Sequence, residues 1–360
     1  MSDDFNISDV KVRACTHENY EAFLKAAAVN FSKEAGWFEE NCGHVCPFPG
    51  GASDEDISKN MAALYGGEII GTIGVYPVKL IASDDEDKVE LNACGIGQVS
   101  CTESFRGKGI MSKMLTKSLS LMNAANYDIS WLQGERARYR SFGWDLAGCT
   151  CEYSFSGKAA ARLTQNLETR PAAETDIPLL ASIYQALDAY AVRSADDWKK
   201  HLARKNLVFT ICERNGKLAY SCHKTDGHGT LLELAGDNEC ALALIKTLAP
   251  EAGLKVLQAL SSNELARALT CNASEYSLRP AVNLNIVNPD ACYLKLEPFL
   301  QKQMRELGEV CPASESLTGE DKSALCRRLL GFVQAPLPER LARFEFIKPL
   351  SFWLSDVDNV

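Results

Sequence analysis

The segment Arg106–Gly109, Arg-Gly-Lys-Gly, combines two basic side chains with two glycines and could hold an anion. It follows an apolar run that ends at Cys101 and precedes apolar residues at helical spacing, namely Met111, Met114, Leu115, Leu119 and Met122. A turn at the start of a helix points several backbone N–H groups at one place, and the helix dipole adds positive potential there. The spacing therefore predicts a pyrophosphate-binding turn between a strand and a helix.

Two common phosphate-binding motifs do not fit this segment. A dinucleotide-binding turn requires G-x-G-x-x-G with an acidic residue about 20 positions later, and a nucleoside-triphosphate loop requires G-x4-G-K-[ST]. An Arg-Gly-Lys-Gly turn alone is a weak signal, because such a turn is also an ordinary helix start. Its context strengthens it: residues 98–122 predict a strand, a turn and a helix, and residues 131–144 predict a further strand that ends in Tyr139–Trp144.

The elements that must position this turn occur twice in the chain. One copy begins near Asp9 and the other near Leu167, and each predicts a strand, a helix, a β-hairpin, a second strand and a long helix. The hairpin turns fall at matching places, Gly66-Gly67 and Asn215-Gly216. This order indicates an internal duplication and an α/β (α+β) fold class.

Three domains are predicted: residues 1–155, 156–281 and 282–360. The chain has 360 residues, which exceeds the roughly 250–300 at which a single core stops growing. The third segment predicts a strand and two helices, the second of them capped by Thr318 with Asp321 three residues later. The apolar tail predicts a docked end of the chain, through Phe346, Phe352, Trp353 and Leu354.

The turn and the segment Tyr139–Trp144 resemble the GCN5-related N-acetyltransferase (GNAT) superfamily. Its signature is [QR]-x-x-G-x-[GA], and here Arg106–Met111 has Met111 in place of the final small residue. The Tyr-x-x-Phe-Gly-aromatic pattern at Tyr139–Trp144 is the more specific feature. With the two copies and the aromatic tail, the chain resembles the Eis-like branch. That resemblance implies two tandem mixed-sheet GNAT-type domains, the first catalytic and the second degenerate, and a small C-terminal α+β domain that is sterol-carrier-like.

The resemblance also implies a reaction and its site. The co-substrate would be acetyl-CoA, bound by Val99, Ser100, Cys101, Arg106, Gly107, Lys108, Gly109, Ile110 and Met111. Backbone N–H groups near Val99 and Cys101 would polarise the thioester carbonyl. Tyr139 would protonate the coenzyme A sulfur, and the terminal carboxylate of Val360 would be the general base. From the residues alone, the alternative for Tyr139 is a packed aromatic, and the alternative for Val360 is a solvated chain end.

The acceptor site is predicted less directly. Trp37 and Phe38, followed by two glutamates, could form a wall that holds a cationic amine, and Glu135 could face the same cleft. The second copy has acidic residues at 236–239, which would repel a pyrophosphate, so only the first copy should bind the coenzyme. The predicted activity is N-acetyl transfer by direct attack of a primary amine on acetyl-CoA. The alternative is a non-catalytic protein that binds acyl-CoA or a lipid-like ligand on the same scaffold.

Charge and composition narrow the partners. The net charge of −9 without a basic tract disfavours nucleic acid, and apolar runs are too short for a bilayer span. The acidic N-terminus lacks a signal-peptide pattern, so a cytoplasmic location is expected. Cys42, His44 and Cys46 fit no common zinc spacing, and no metal is predicted. The Eis-like resemblance favours a homo-oligomer.

Overall fold

The computed structural model describes residues 5–84, 86–164, 166–226, 229–331, 337–358 and 360. The first part of the chain alternates short helices with long strands. In order, its elements are β1 (Lys11–Ala14), α1 (His17–Asn30), α2 (Trp37–Asn41), α3 (Asp54–Ser58), β2 (Asn60–Tyr65), β3 (Glu68–Ser83), β4 (Lys88–Cys101), α4 (Ile110–Ala124), β5 (Ile129–Leu132), α5 (Arg136–Tyr139) and β6 (Asp145–Ala147).

The second part repeats this order and ends in two helices. Its elements are β7 (Thr150–Phe155), α6 (Gly157–Arg162), β8 (Thr169–Pro171), α7 (Ile177–Gln185), β9 (Tyr190–Ala191), α8 (Ala195–Leu202), β10 (Leu207–Arg214), β11 (Lys217–Lys224), β12 (Thr230–Gly236), α9 (Asn238–Leu248), β13 (Leu254–Ala259), α10 (Glu264–Asn272), β14 (Glu275–Arg279), β15 (Val282–Ile286), α11 (Pro289–Glu306) and α12 (Gly319–Leu329).

Both predicted hairpin turns are present and have the backbone that tight two-residue turns need. Gly66 and Gly67 join β2 to β3 with φ of +58° and +89°, and Asn215 and Gly216 join β10 to β11 with φ of +53° and +76°. Positive φ at both central positions matches the twist of the flanking strands. The turns therefore set the register of the two hairpins.

Two mixed sheets form the body of the protein and confirm the predicted fold class. The first has the order β1-β2-β3-β4-β5-β15-β6, with β9 paired to β3, and the second has the order β14-β7-β13-β12-β11-β10-β8. In each sheet one central pair is parallel, β4 with β5 and β12 with β13. The duplicated order of elements thus produces two sheets of the same design.

Besides β9, which pairs with β3, two further strands join a sheet outside their predicted domain. Strand β7 lies inside the predicted first domain but pairs with β13 and β14 of the second sheet. Strand β15 begins the predicted third domain but pairs with β5 and β6 of the first sheet. The predicted boundaries at 155 and 281 therefore do not separate the sheets. Each sheet is therefore completed by a strand from outside its own copy. We call the first sheet with its helices the first unit and the second sheet with its helices the second unit; these strands connect the two units.

The residues after β15 add two long helices and no separate sheet within the part of the chain that the structure describes. Side chains of α11, α12 and the tail share one buried core with β3, β4, β5 and β15. A separate α+β domain with its own sheet, as predicted for 282–360, is therefore not seen among the described residues. The segment instead covers one face of the first sheet.

The tail runs from the first unit to the second. Ser351 forms a β-bridge with Ser83, and Phe352, Trp353 and Leu354 are buried while Phe346 is 77% exposed. Phe352 and Leu354 pack in the core of the first sheet, and Val357 packs in a core of the second unit. Three of the four predicted tail residues are thus docked, whereas Phe346 is exposed although its neighbours Phe344 and Ile347 are buried.

Among the described residues, the structure has no helix long and apolar enough to cross a membrane.

Candidate functional site

A bulge in β4 opens the first sheet. Gln98 has φ of +47°, and the pairing of β3 with β4 shifts between Thr72 and Gly74. Thr72 Oγ1 donates to the Gln98 carbonyl oxygen at 2.7 Å, and the buried Tyr76 hydroxyl donates to the Gln98 side chain. These bonds hold a backbone conformation that costs free energy at a non-glycine residue.

The bulge lies where β4 and β5 separate. The two strands pair only from Ala93 with Ile129 to Gly95 with Trp131. Beyond Gly95 the strand β4 continues to Cys101, whereas β5 ends at Leu132. Parallel strands that separate leave backbone groups without a ladder partner, and these groups are available to a ligand. The opening is the centre of the candidate site.

One side of this opening is a cleft of about 750 Å³ at the start of α4. Eight of the nine predicted coenzyme-binding residues line it: Val99, Ser100, Cys101, Arg106, Gly107, Gly109, Ile110 and Met111. Gly107 and Gly109 have φ of +75° and +82°, and a methyl group on Gly107 would meet nothing within 4 Å. The glycines therefore form a turn that a large anion can approach at a helix N-terminus.

Lys108, the ninth predicted residue, has a different place. Its ammonium group lies over the rings of Phe5 and Phe105, at 5.0 and 5.2 Å from their centroids. The side chain is therefore turned toward an aromatic pair and away from the cleft lining. The sequence analysis also missed lining residues from outside the turn, notably Asn30, which donates to Ser100 Oγ at 2.9 Å, and Arg138.

The corresponding turn of the second unit is closed by its own side chain. Asp237 caps α9, and its Oδ1 accepts from the backbone N–H groups of Glu239 and Cys240 at 3.1 and 3.3 Å. A carboxylate thus occupies the helix N-terminus at which a pyrophosphate would bind.

The sequence pattern had predicted Tyr139 at the end of a strand. In the structure Tyr139 lies in the short helix α5 instead. Its side chain is only 6% exposed and packs against Gly134, where a methyl group would lie 2.8 Å from the ring. Burial raises the pKa of Tyr139, and the neighbouring Arg138 opposes that shift. The phenol is therefore neutral at ordinary pH and can donate a proton. In the chain, Tyr139 comes directly after Arg138, which lines the cleft at the start of α4.

The last residue of the chain lies in the same opening. A methyl group on Gly97 would be 2.7 Å from the carboxyl carbon of Val360, and one on Gly95 would be 2.8 Å from Val360 Cγ2. The terminal carboxyl group therefore packs directly against β4. Gly97 and Val99 are two residues apart, or roughly 7 Å along a strand, so the carboxyl group and the cleft at the start of α4 are close neighbours.

Val360 also lines a second, smaller pocket of about 160 Å³. Both units and the tail contribute to it, with His44, Asp56, Lys59, Tyr76 and Trp131 from the first unit and Arg193, Asp197, Lys200 and His201 from the second. The indole Nε1 of Trp131 is buried without a hydrogen-bond partner among the described residues. The pocket therefore offers mixed charges and an unused donor beside the terminal carboxyl group.

The predicted acceptor residues lie elsewhere. Trp37 and Phe38 pack with α1 in a separate core, and the Lys33 ammonium lies 4.7 Å from the Trp37 ring centroid. Glu135 has a 68% exposed side chain that pairs with Arg138 at 3.6 Å. None of these three residues lines the pocket around Val360 or the cleft at the start of α4, which both lie elsewhere. The second-unit residues of the pocket around Val360 had no local signal, because they reach the site only through the packing of the two units.

No group of three His, Cys, Asp or Glu side chains in the described part of the chain is arranged to hold a metal ion. His44 lines the pocket with Val360, and Cys46 is buried with its Sγ 3.6 Å from the Tyr76 hydroxyl. The Cys42–Cys46 segment thus contributes to the pocket wall.

The first part of the chain is similar to a known family of domains. Residues 12–147 match the family model described as an acetyltransferase (GNAT) domain, and this span ends where the chain leaves the first sheet for β7. A search of curated proteins found no significant match.

Solved structures extend the likeness to both units. A GCN5-related N-acetyltransferase from Kribbella flavida has 17% identity and a TM-score of 0.60, covering 80% of this chain and 74% of that one. Another from Anabaena variabilis has 16% identity and a TM-score of 0.60, covering 79% and 75%. Eis1 from Mycobacterium abscessus has 13% identity and a TM-score of 0.54, also covering 79% and 75%. Residues 12–147 are therefore similar to a GNAT acetyltransferase domain, and about four-fifths of the chain has the fold of GCN5-related N-acetyltransferases.

Proposed function

We propose that the protein is an acetyl-CoA-dependent N-acetyltransferase whose acceptor is a primary amine bound in the pocket around Val360. The position of the terminal carboxyl group against Gly97, beside the cleft lined by Val99–Cys101, is the observation that carries the proposal. A carboxylate there is near both the thioester and the amine, which is the geometry that general base catalysis needs.

The proposed reaction is a direct transfer. The Val360 carboxylate takes a proton from the acceptor ammonium, and the free amine attacks the thioester carbonyl carbon. Backbone N–H groups of β4 near Val99 and Cys101 stabilise the negative oxygen of the tetrahedral intermediate. The C–S bond then breaks, Tyr139 gives its proton to the leaving thiolate, and the nitrogen and the Val360 carboxyl group each release one proton to the solvent, so that the products are an amide and coenzyme A. The phenol regains its proton from the solvent.

The test uses the full chain with acetyl-CoA and a panel of primary amines, with release of free thiol as the readout. We expect thiol release that depends on both substrates, with an acetylated amine as the second product. Calorimetric binding of acetyl-CoA without thiol release across the panel would instead favour the non-catalytic binding protein.

Arg106 and Lys108 allow a matched test of the coenzyme cleft. Arg106→Ala should raise the KM for acetyl-CoA about 10-fold, because a guanidinium bound to phosphate makes strong charge-assisted hydrogen bonds. Lys108→Ala should raise it by less than about 3-fold, because that ammonium group lies over Phe5 and Phe105. Steady-state kinetics with varied acetyl-CoA measures both, and a larger effect for Lys108 would contradict the assignment.

The two units should differ in binding. Because Asp237 occupies the N-terminus of α9, we expect one acetyl-CoA per chain in calorimetry. The variant Asp237→Ser should keep the helix cap and leave this stoichiometry at one. Two sites per chain would mean that the second unit also binds the coenzyme.

A further inference from the structure

A buried ion network joins the second unit to the chain end. Arg193 and Asp358 have side chains that are 2% and 7% exposed. Arg193 Nε donates to Asp358 Oδ1 and Nη2 donates to Asp358 Oδ2, both at 2.7 Å. This two-point contact fixes both the direction and the distance of the carboxylate.

Arg193 is itself held on all sides by the second unit. It donates to both carboxylate oxygens of Glu233, which also accepts from the Tyr220 hydroxyl at 3.1 Å. Its guanidinium carbon lies 4.0 Å from the Tyr184 ring centroid and 4.7 Å from that of Trp198. A guanidinium held in this way is a rigid attachment point.

Further bonds hold the tail at the same place. Tyr184 donates to Asp358 Oδ2 at 2.9 Å, and His201 Nε2 lies 3.4 Å from Asp358 Oδ1. Arg204 Nη1 donates to the Val357 carbonyl oxygen at 2.6 Å. Burial acts to raise the pKa of Asp358, but the charge of Arg193 and the contact with His201 outweigh it and hold that pKa well below its usual range. Asp358 is therefore ionised and paired.

Such a network is costly to bury, so its use needs a reason. A buried ion pair is often no more stabilising than apolar side chains of the same size. Apolar packing of Phe352, Leu354 and Val357 would keep the tail docked but would tolerate a slip along its length. A slip of one residue moves the chain end by about 3.5 Å, while a misplacement of about 1 Å can cost 100-fold in rate. A two-point ionic contact two residues before Val360 prevents that slip.

We propose that the second unit, which has lost its own coenzyme turn, serves as the anchor that sets the position of the terminal carboxylate, with Arg193, Arg204 and Asp358 as positioning residues. The kinetic part of this inference rests on the proposed function of Val360 as the base. The structural part, a tail held in register by the second unit, stands separately.

The first test compares two tail carboxylates. Asp358→Asn should lower kcat about 10-fold and leave the KM for acetyl-CoA within about 2-fold, because the coenzyme cleft is formed by other residues. Asp356→Asn is the matched control: its Oδ1 accepts from Gln133 at 3.0 Å and it lies outside the Arg193 network, so kcat should stay within about 2-fold. Equal effects of the two variants would overturn the proposal.

A second variant tests the anchor at a residue that does not line the acceptor pocket. Asp358 lines that pocket and could act on the amine directly, whereas Arg204 holds only the Val357 carbonyl among the tail contacts described above. Arg204→Met should therefore lower kcat with the same pattern as Asp358→Asn. An unchanged kcat in Arg204→Met would restrict Asp358 to a direct role and overturn the anchor.

The decisive measurement is the coupling between the anchor and the chain end. In the native background, one added glycine after Val360 should lower kcat at least about 100-fold. In the Asp358→Asn variant the same glycine should lower kcat by less than about a further 5-fold, because the end of an unanchored tail is no longer fixed. If the fold-losses in kcat from the added glycine and from Asp358→Asn simply multiply in the combined variant, the proposal is overturned. A general weakening of the fold predicts that multiplication.

Hydrogen exchange separates this inference from the proposed function. The amides of Val357 and Asp358 donate to Ser355 at 3.1 and 3.0 Å, and Asp358→Asn should raise their exchange at least about 10-fold while β4 keeps its protection. Unchanged exchange would overturn the anchor. If the added glycine costs nothing in the native background but exchange rises in Asp358→Asn, the anchor stands and the proposed base is wrong.

Discussion

One glycine added after Val360 is expected to lower kcat for acetyl transfer at least about 100-fold, the range in which a positioned general base contributes. The added residue moves the terminal carboxylate by about 3.5 Å, away from the place against Gly97 that it occupies in the native chain. The KM for acetyl-CoA should change by less than about 2-fold. Thiol release under saturating acetyl-CoA measures the effect.

The control for this extension is the same glycine placed before Met1, which should leave kcat unchanged. Gly97→Ala gives an independent check, because its methyl group would lie 2.7 Å from the Val360 carboxyl carbon and must displace it. Gly319→Ala, where a methyl group meets nothing within 4 Å, is the matched substitution without such a clash. Full activity in both the extended chain and Gly97→Ala would remove Val360 from the mechanism.

Tyr139→Phe is expected to lower kcat about 100-fold, because the substitution removes the proton donor for the thiolate and keeps the ring that packs on Gly134. The pH dependence of kcat tests whether the protonated phenol of Tyr139 is the active form. Burial raises the pKa of Tyr139 above its usual value near 10, with Arg138 opposing it. The active phenol is protonated, so activity should hold below the raised pKa and fall as the pH rises through it. Tyr139→Phe should lose that high-pH decline.

Tyr153→Phe is the matched control, since Tyr153 is a buried tyrosine of the second unit. We expect its kcat to stay within about 2-fold of the native value. A Tyr139→Phe variant with native kcat and an unchanged high-pH decline would reduce Tyr139 to a packed aromatic, the alternative that the residue pattern left open.

The features that the sequence predicted well depend on neighbours close in the chain. The hairpin turns at Gly66-Gly67 and Asn215-Gly216 need only the permissive backbone of two residues. The cap of α12 needs only Thr318 and Asp321, which bond to each other's backbone at 3.2 and 3.0 Å. The glycine turn at Arg106–Gly109 belongs to the same class, because its φ angles and its helix N-terminus are local.

The features that the sequence missed depend on partners far along the chain. Lys108 lies within the Arg106–Gly109 turn, but its ammonium group is over the ring of Phe5, which is distant in the chain, as well as that of Phe105. Tyr139 was assigned to the end of a strand, whereas the structure has a short helix there. Trp37 looked available to a substrate, but it packs in the core around α1. In each case tertiary contacts outweighed a weak local preference.

By itself, the sequence predicted a repeated order of elements, a glycine turn at a helix N-terminus in the first copy and an acidic cap in its place in the second. Only the tertiary structure decided that β7 and β15 join a sheet outside their predicted domain, because the edge on which a strand pairs is set by the packing of the whole sheet. The tertiary structure also determined the position of the last residue, Val360. Arg193 and Asp358 are 165 residues apart, and no local pattern links them. Their pairing holds Asp358 two residues before Val360, which lies against Gly97, and these contacts exist only once both units have folded together.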